Sequence, residues 1–580
     1  MKLRKLRAVP LYATALCAVI LSATTLSAMA NNAGGAEGSQ DEIQYRRLPV
    51  SVYRDKMAGG WLGQIAGVCW GAPTEFRWND EIIPAEEMPK WEPEMINNAI
   101  GQDDLYVEMT FLRTLEEYGV DVSQRQAGID FANSCYDLWC ANLAGRHNLR
   151  MGIAPPDSGH PDYNSRGNDI DYQIESDFAG LISPGMPNAV ILLGEKFGRL
   201  MNYGDGLYGG QFMGGMYAEA FFTEDIEQII RAGLACIPEG SQYAEMVRDL
   251  LAWHAEDPDH WENAWEKVCE KYRKNPDYQK ASNGPIDVKN NGAALLLGLL
   301  FGNKDPDQTI IIATRAGWDS DCNPSSAAGV LFTVLGFSRI PEKFTQNLDR
   351  ETCFSFTEYN FTTLENVCEK LAREILLCQG GSIERDEAGN EVFCIPVEPV
   401  TPSPLEFTWA PGPSKGARYS DEELSKIDFR EYSPNEEFSR RFPGWAVSQL
   451  GPDMSPGLRE EYRGKSQVFV THPLREDIPC ILTRDLTIPA SGRTTLRVTV
   501  NHHAEGEHVG DWVLTVRVNG ALQTTALISS QTSDPDGWVD VDTDLTPMAG
   551  QTVSVELANA ANDWSWEAGY WGNIELINEP

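Results

Sequence analysis

Two acidic clusters carry the chemistry that this chain could do. Gln102-Asp103-Asp104 directly precedes a helix-periodic run, Tyr106 to Tyr118, that Gly119 ends. Asp319-Ser320-Asp321-Cys322-Asn323 lies between a segment closing at Gly317 and one opening at Pro324. Neighbouring carboxylates repel one another unless a cation or water compensates them. Asp-Asp and Asp-x-Asp held on two such turns suit hard divalent cations, which take oxygen ligands and keep some water. For either pair alone, helix capping is the simpler reading. A third acidic stretch, Asp169-Ile170-Asp171 through Glu175-Ser176-Asp177, follows Arg166-Gly167-Asn168. Asp205-Gly206, after Asn202-Tyr203-Gly204, reads either as a cleft wall or as a tight turn. No cysteine pair has zinc-knuckle spacing and there is no H-E-x-x-H, which disfavours a zinc enzyme.

The elements that must position these groups are helical. Thr223 is placed to cap a helix whose apolar stripe is Ile226, Ile229, Ile230 and Leu234, and Ser241 the next, with Tyr243, Val247, Leu250 and Leu251 inward. Asp305-Pro306 starts another that Gly317 ends. Such segments recur across residues 48–380, which are expected to form one all-α domain. Residues 381–415, with Pro396, Pro399, Pro402, Pro404, Pro411 and Pro413, read as a stiff connector. Over residues 440–580 the period becomes two, with strands expected at 468–471, 482–488, 495–500, 512–518, 552–557 and 570–577. That pattern indicates an all-β sandwich.

Composition bounds the function. The chain has 580 residues, 42% hydrophobic and 23% charged, which excludes wholesale disorder. Its net charge of −38 opposes a phosphate backbone, so no nucleic-acid partner is expected. Lys2, Arg4, Lys5 and Arg7, an apolar run to Leu26 and Ala28-Met29-Ala30 make residues 1–30 a secretory signal peptide. The mature chain is expected to be secreted or periplasmic, without a membrane anchor. Twelve scattered cysteines are too few for a disulfide framework, and most read as small packed hydrophobes. Trp512, Trp538, Trp564, Trp566, Tyr570 and Trp571 in the sandwich are either core or sugar-stacking surface. His502, His503 and His508 read as a solvated loop.

Gly59-Gly60-Trp61-Leu62-Gly63-Gln64-Ile65-Ala66-Gly67, continuing to Gly71-Ala72-Pro73-Thr74-Glu75-Phe76, resembles the opening helix and loop of the ADP-ribosylglycohydrolase superfamily. Gln102-Asp103-Asp104 is similar to its Thr-Asp-Asp motif. Asn291 to Gly298 followed by Gly317-Trp318-Asp319-Ser320-Asp321 is similar to its closing Asp-Thr-Asp segment. The weaker likeness of the C-terminal part is to galactose-binding-like sandwiches. The resemblance implies a helical fold with two Mg²⁺ ions, held by Asp103, Asp104, Asp319 and Asp321 with Gln102 alongside, and Glu75 in catalysis. Asn168, Asp171, Asp205 and Gly206 would then face substrate. Two family threonines are replaced by Gln102 and Cys322; a thiol suits Mg²⁺ poorly, which leaves one site weaker or held by another metal. Gly167-Asn168 matches part of a family loop that holds a diphosphate, but the carboxylates after it oppose that ligand. The expected function is a secreted Mg²⁺-dependent glycosyl hydrolase, cleaving an N- or O-glycosidic bond to a ribose-like or other diol-bearing sugar. A true ADP-ribosyl hydrolase and a non-catalytic glycan binder are the alternatives. The partner is a small molecule or glycan.

Overall fold

The structure, a computed structural model, describes residues 44–429, 434–505 and 508–580. The expected signal peptide lies outside the described residues. Strand β1 (Tyr45–Pro49) leads into α1 (Val50–Gly71). From Met57 to Gly71 every residue of α1 is buried, as befits a helix that is apolar or small on all sides. Gly59, Gly63, Gly67 and Gly71 stand one turn apart and face the antiparallel helix Cys322–Leu335. A Cβ built on Gly63 would lie 2.6 Å from the Ala328 carbonyl carbon, and one on Gly71 would lie 2.6 Å from Asp321 Cα. Real Cβ atoms do not come within 3.0 Å, so the two backbones meet where no side chain fits. This contact seats the Asp319–Asp321 turn against the end of α1.

Helix α2 (Asp103–Tyr118) begins at the first acidic cluster and stops at Gly119, whose φ of 86° suits glycine. Ser241 and Asp305 cap the helices that follow them, each accepting a backbone N–H through its side chain. Thr223 does not cap the helix after it; Asp225 does, and Thr223 instead accepts from the Asp225 N–H. The carboxylate sits at the residue from which the first free N–H groups are within reach.

The Pro-rich segment opens with a hairpin, β2 (Ser382–Arg385) and β3 (Glu391–Pro396), in a sheet of order β1-β3-β2. Beyond it the chain runs extended over the helical domain. Tyr208 donates to the Pro404 carbonyl at 2.6 Å, Thr408 to Asn168 at 3.1 Å, and the Lys415 and Ala417 amides to Asp157 at 2.9 and 2.7 Å. Outside any ladder, the connector's polar groups, one carbonyl, one hydroxyl and two amides, find their partners on side chains of the helical domain.

The sandwich strands are β4 (Ala446–Ser448), β5 (Gly457–Tyr462), β6 (Lys465–Thr471), β7 (Cys480–Thr487) and β8 (Arg493–Asn501). After the short pair β9 (Ala504–Glu505) and β10 (His508–Val509) come β11 (Trp512–Val518) and β12 (Ala521–Ile528). β13 (Trp538–Asp544), β14 (Thr552–Ala560) and β15 (Gly569–Glu579) complete it. Two antiparallel sheets, ordered β12-β11-β14-β7-β4 and β13-β8-β15-β6-β5, enclose a core of Val498, Trp512, Leu514, Leu557 and Trp571. Trp566 is 42% exposed on the β14–β15 loop. His502 and His503 are buried, against the expectation of a solvated loop, because His503 bonds Tyr570 at 2.8 Å and stacks on Trp566. All eleven cysteines in the described residues are free, and seven are buried. No helix among the described residues is long and apolar enough to cross a membrane.

Candidate functional site

The end of α1 places Glu75. Ala72-Pro73-Thr74 form one tight turn, and Thr74 Oγ1 meets Ser320 Oγ at 2.8 Å. The Phe76 amide donates to the Trp318 carbonyl at 3.1 Å, and the Trp318 amide to Trp78 at 3.0 Å. These bonds zip the Glu75 loop to the Asp319–Asp321 turn although 240-odd residues separate them in sequence. Both Phe76 and Trp318 take positive φ (52° and 59°), a cost that the reciprocal bonds offset. Asn291 orders the same turn: its Oδ1 accepts from the Asp319 amide at 3.2 Å and from Asn323 Nδ2 at 2.9 Å.

Both acidic clusters lie at helix N-termini, where free N–H groups favour negative charge. One oxygen each of Asp319 and Asp321 and the Cys322 sulfur lie within 4.8 Å of one another, all buried. Cys322 Sγ donates to Asp104 Oδ1 at 3.0 Å, which brings the α2 cluster to the same point. Asp104 Oδ2, Asp319 Oδ1 and Asp321 Oδ1 are buried without a hydrogen-bond partner. Burial, followed by repulsion from Asp103 and Asp321, holds the Asp104 carboxyl well above the usual range. Burial and Asp321 do the same to Asp319, and push Asp103 up to about 6. Partial desolvation by the surrounding protein, then Asp321 and Asp103, raise the Glu75 carboxyl above its usual range, while the solvent access of its side chain screens part of that repulsion. Buried carboxylate oxygens with no donor are what a divalent cation would satisfy, and the donor set fits one. Gln102 sits half-buried at the N-cap of α2 and makes no side-chain cap bond.

The third acidic stretch divides. Arg166 Nε lies 2.7 Å from Asp169 Oδ2 and Asn283 donates to Asp169 Oδ1 at 2.7 Å, so Asp169 is neutralised in place. Asp171 and Glu175 face the cluster. Asp171 Oδ1 accepts from the Asn142 amide at 2.8 Å, Glu175 accepts from the Asn142 side chain, and both repel charge on the α2 aspartates. Asp177 bonds Tyr217 and lies deeper, beside Glu108. Sequence reasoning passed over Glu108, one turn after Asp104 on the same face of α2; the i, i+4 spacing was the available signal.

Asn168 is fully buried, donates to Asp287 at 3.1 Å and accepts from Thr408. Asp205 is buried, accepts from the Tyr243 amide at 3.1 Å, and lies near Lys289. Gly206 packs against the Gly167 carbonyl, where a Cβ would meet Asn202 Nδ2 at 2.6 Å. These three brace the loop from behind, and only Asp171 of the four candidate substrate residues is brought to the carboxylates.

Residues 49–380 match the family model for ADP-ribosylglycohydrolase. No curated protein matches the chain. A solved ADP-ribosylglycohydrolase-related protein is 16% identical, with 56% of this chain and 99% of that one covered and a TM-score of 0.37. In the C-terminal region, a family 35 carbohydrate-binding module from Clostridium thermocellum is 11% identical over 23% of this chain and 92% of its own, at a TM-score of 0.17. A family 61 module solved with β-1,4-galactotriose is 18% identical over 26% and 99%, at 0.18.

Proposed function

Because the chain belongs to the ADP-ribosylglycohydrolase family, we propose that it is an exported, divalent-cation-dependent glycosyl hydrolase acting on an N- or O-glycosidic bond to a diol-bearing sugar. One observation carries this reading: Asp104, Asp319 and Asp321, from two distant parts of the chain, meet around unsatisfied buried carboxylate oxygens, with Asp103 and Glu75 close enough to feel the charge on Asp321. Asp104, Asp319 and Asp321 would hold the cation, with Asp103 beside them; Mg²⁺ is what the sequence resemblance implies. The cation supplies Lewis-acid polarisation and acidifies attached water. Glu75, exposed at the edge of the cluster, is placed to pass a proton to the leaving atom or to orient water. Asp171 keeps Oδ2 unpartnered while Oδ1 is fixed by the Asn142 amide, which suits it to accept from a sugar hydroxyl. Asp171, pushed up by burial only to about 6 and so ionised at neutral pH, opposes a diphosphate at this point, which favours a neutral glycoside over ADP-ribose. The leader at residues 1–30 supports export. The exposed Trp566, held at a φ of 63°, supports a sugar-stacking role for the sandwich.

The test is release of free sugar from a panel of neutral ribosides, other glycosides and ADP-ribose conjugates, with divalent cation and with EDTA. Cation-dependent release from a neutral glycoside supports the proposal. Release from ADP-ribose conjugates alone transfers it to ADP-ribosyl hydrolysis, and affinity without turnover transfers it to a glycan binder.

A further inference from the structure

Cys322 is the first residue of its helix and is buried at 5% exposure. Its sulfur is one of three atoms, with an oxygen each from Asp319 and Asp321, that lie within 4.8 Å of one another. It also touches Asp104 Oδ1 at 3.0 Å. Ligand atoms about 2.0–2.3 Å from a zinc-sized ion stand roughly 3.3–3.8 Å apart in a tetrahedron, so side-chain rotations of about 1 Å would close this set on one ion. Two further facts point to a cation at this spot: Asp319 Oδ1 and Asp321 Oδ1 have no partner, and both residues are more than nine-tenths buried. A thiol is a poor neighbour for Mg²⁺, which prefers oxygen, but a strong ligand for softer ions once it loses its proton. The chain lacks the paired Cys and His spacings of a structural zinc site, yet folding delivers one sulfur to a carboxylate pair.

We infer that Cys322 is a metal ligand, bound as a thiolate beside Asp319 and Asp321, and that it turns this site toward thiophilic divalent cations such as Zn²⁺ or Co²⁺ over Mg²⁺. The inference rests on the reading that these carboxylates hold a cation. Binding forms one metal–sulfur bond, and the S–H proton, aimed at Asp104 in the metal-free protein, passes to solvent.

The experiment adds Co²⁺ to the EDTA-stripped full chain and follows near-ultraviolet absorption, with Zn²⁺ and Mg²⁺ affinities measured by calorimetry alongside. The expected result is a thiolate-to-cobalt charge-transfer band that saturates with bound metal and is missing in Cys322→Ser and in Cys322→Thr. Zn²⁺ should bind with release of about one more proton than in either variant, and the Zn²⁺/Mg²⁺ affinity ratio should fall at least ~100-fold in both. Co²⁺ binding with no band, or an unchanged affinity ratio in the two variants, would overturn the thiolate and leave the carboxylate site standing. Failure of the unsubstituted chain to bind any divalent cation would overturn both.

Discussion

Gly67→Ala tests how α1 positions the site. A Cβ at residue 67 would stand 2.5 Å from the Ser325 amide nitrogen, with the Pro324 carbonyl nearer still. All three nearest atoms are backbone, so no rotamer relieves the overlap. The helix Cys322–Leu335 must retreat by about 1 Å, and overpacking of this kind costs about 1–3 kcal/mol, partly offset by the ~1 kcal/mol advantage of Ala over Gly in a helix. The displaced residues are two and three positions from Cys322, and metal ligands tolerate only about 0.2 Å of misplacement. Gly67→Ala should therefore weaken divalent-cation affinity at least ~10-fold, or about 1.4 kcal/mol. Gly59→Ala is the control: its Cβ meets the backbone of Phe332, ten residues after Cys322 on the same helix, and of Phe337 just past that helix's end, at 3.1 Å from Phe332 C and Phe337 N. Phe332 thus stands roughly 15 Å from Cys322. It should lower stability similarly while leaving metal affinity within about twofold. Urea unfolding and calorimetric titration read the two effects separately. Undiminished metal affinity in Gly67→Ala, or equal losses of affinity in both variants, would refute this coupling.

Three further outcomes follow from the electrostatics. In EDTA, Asp103, Asp171 and Asp205 are each held near 6, mainly by burial, so the folded chain binds more protons than the unfolded one between about pH 4 and 6. Stability should then fall as pH rises from about 4 to 6, and saturating divalent cation should flatten or reverse the trend; thermal melts under both conditions check it. Asp104→Asn removes a repelled buried carboxylate while keeping its shape, so it should raise the Tm of the EDTA-treated protein while weakening cation binding. Arg166→Met strands the buried Asp169 and should cost about 3–5 kcal/mol by urea unfolding. Asp453→Ala, which removes only a 3.9 Å contact to Arg166, should cost under ~1 kcal/mol.

The helices and strands were legible where local chemistry decides them. Gly119 and Gly317, both with positive φ, end the helical segments beside the two acidic clusters, and the strand at 512–518 follows from alternation alone. What stayed hidden depends on distant partners. The hairpin 382–396 exists because β3 pairs with β1, some 350 residues earlier, and nothing in its own sequence says so. Asp169 looks like another cluster carboxylate until folding sets Arg166 and Asn283 against it. Asn168 and Asp205 sit in suggestive motifs, but their side chains are spent on internal hydrogen bonds. Glu108 was hidden by a plain apolar-looking helix, although its spacing from Asp104 puts both on one face.

Whether these aspartates hold a catalytically required divalent cation is decided by calorimetric titration of the stripped full chain and of Asp321→Ala, each followed by the glycoside panel on the same samples. Binding should be saturable and lost in Asp321→Ala, and sugar release should appear only in the metal-loaded unsubstituted chain. Equal binding by both proteins, or release that persists in EDTA, would contradict that requirement.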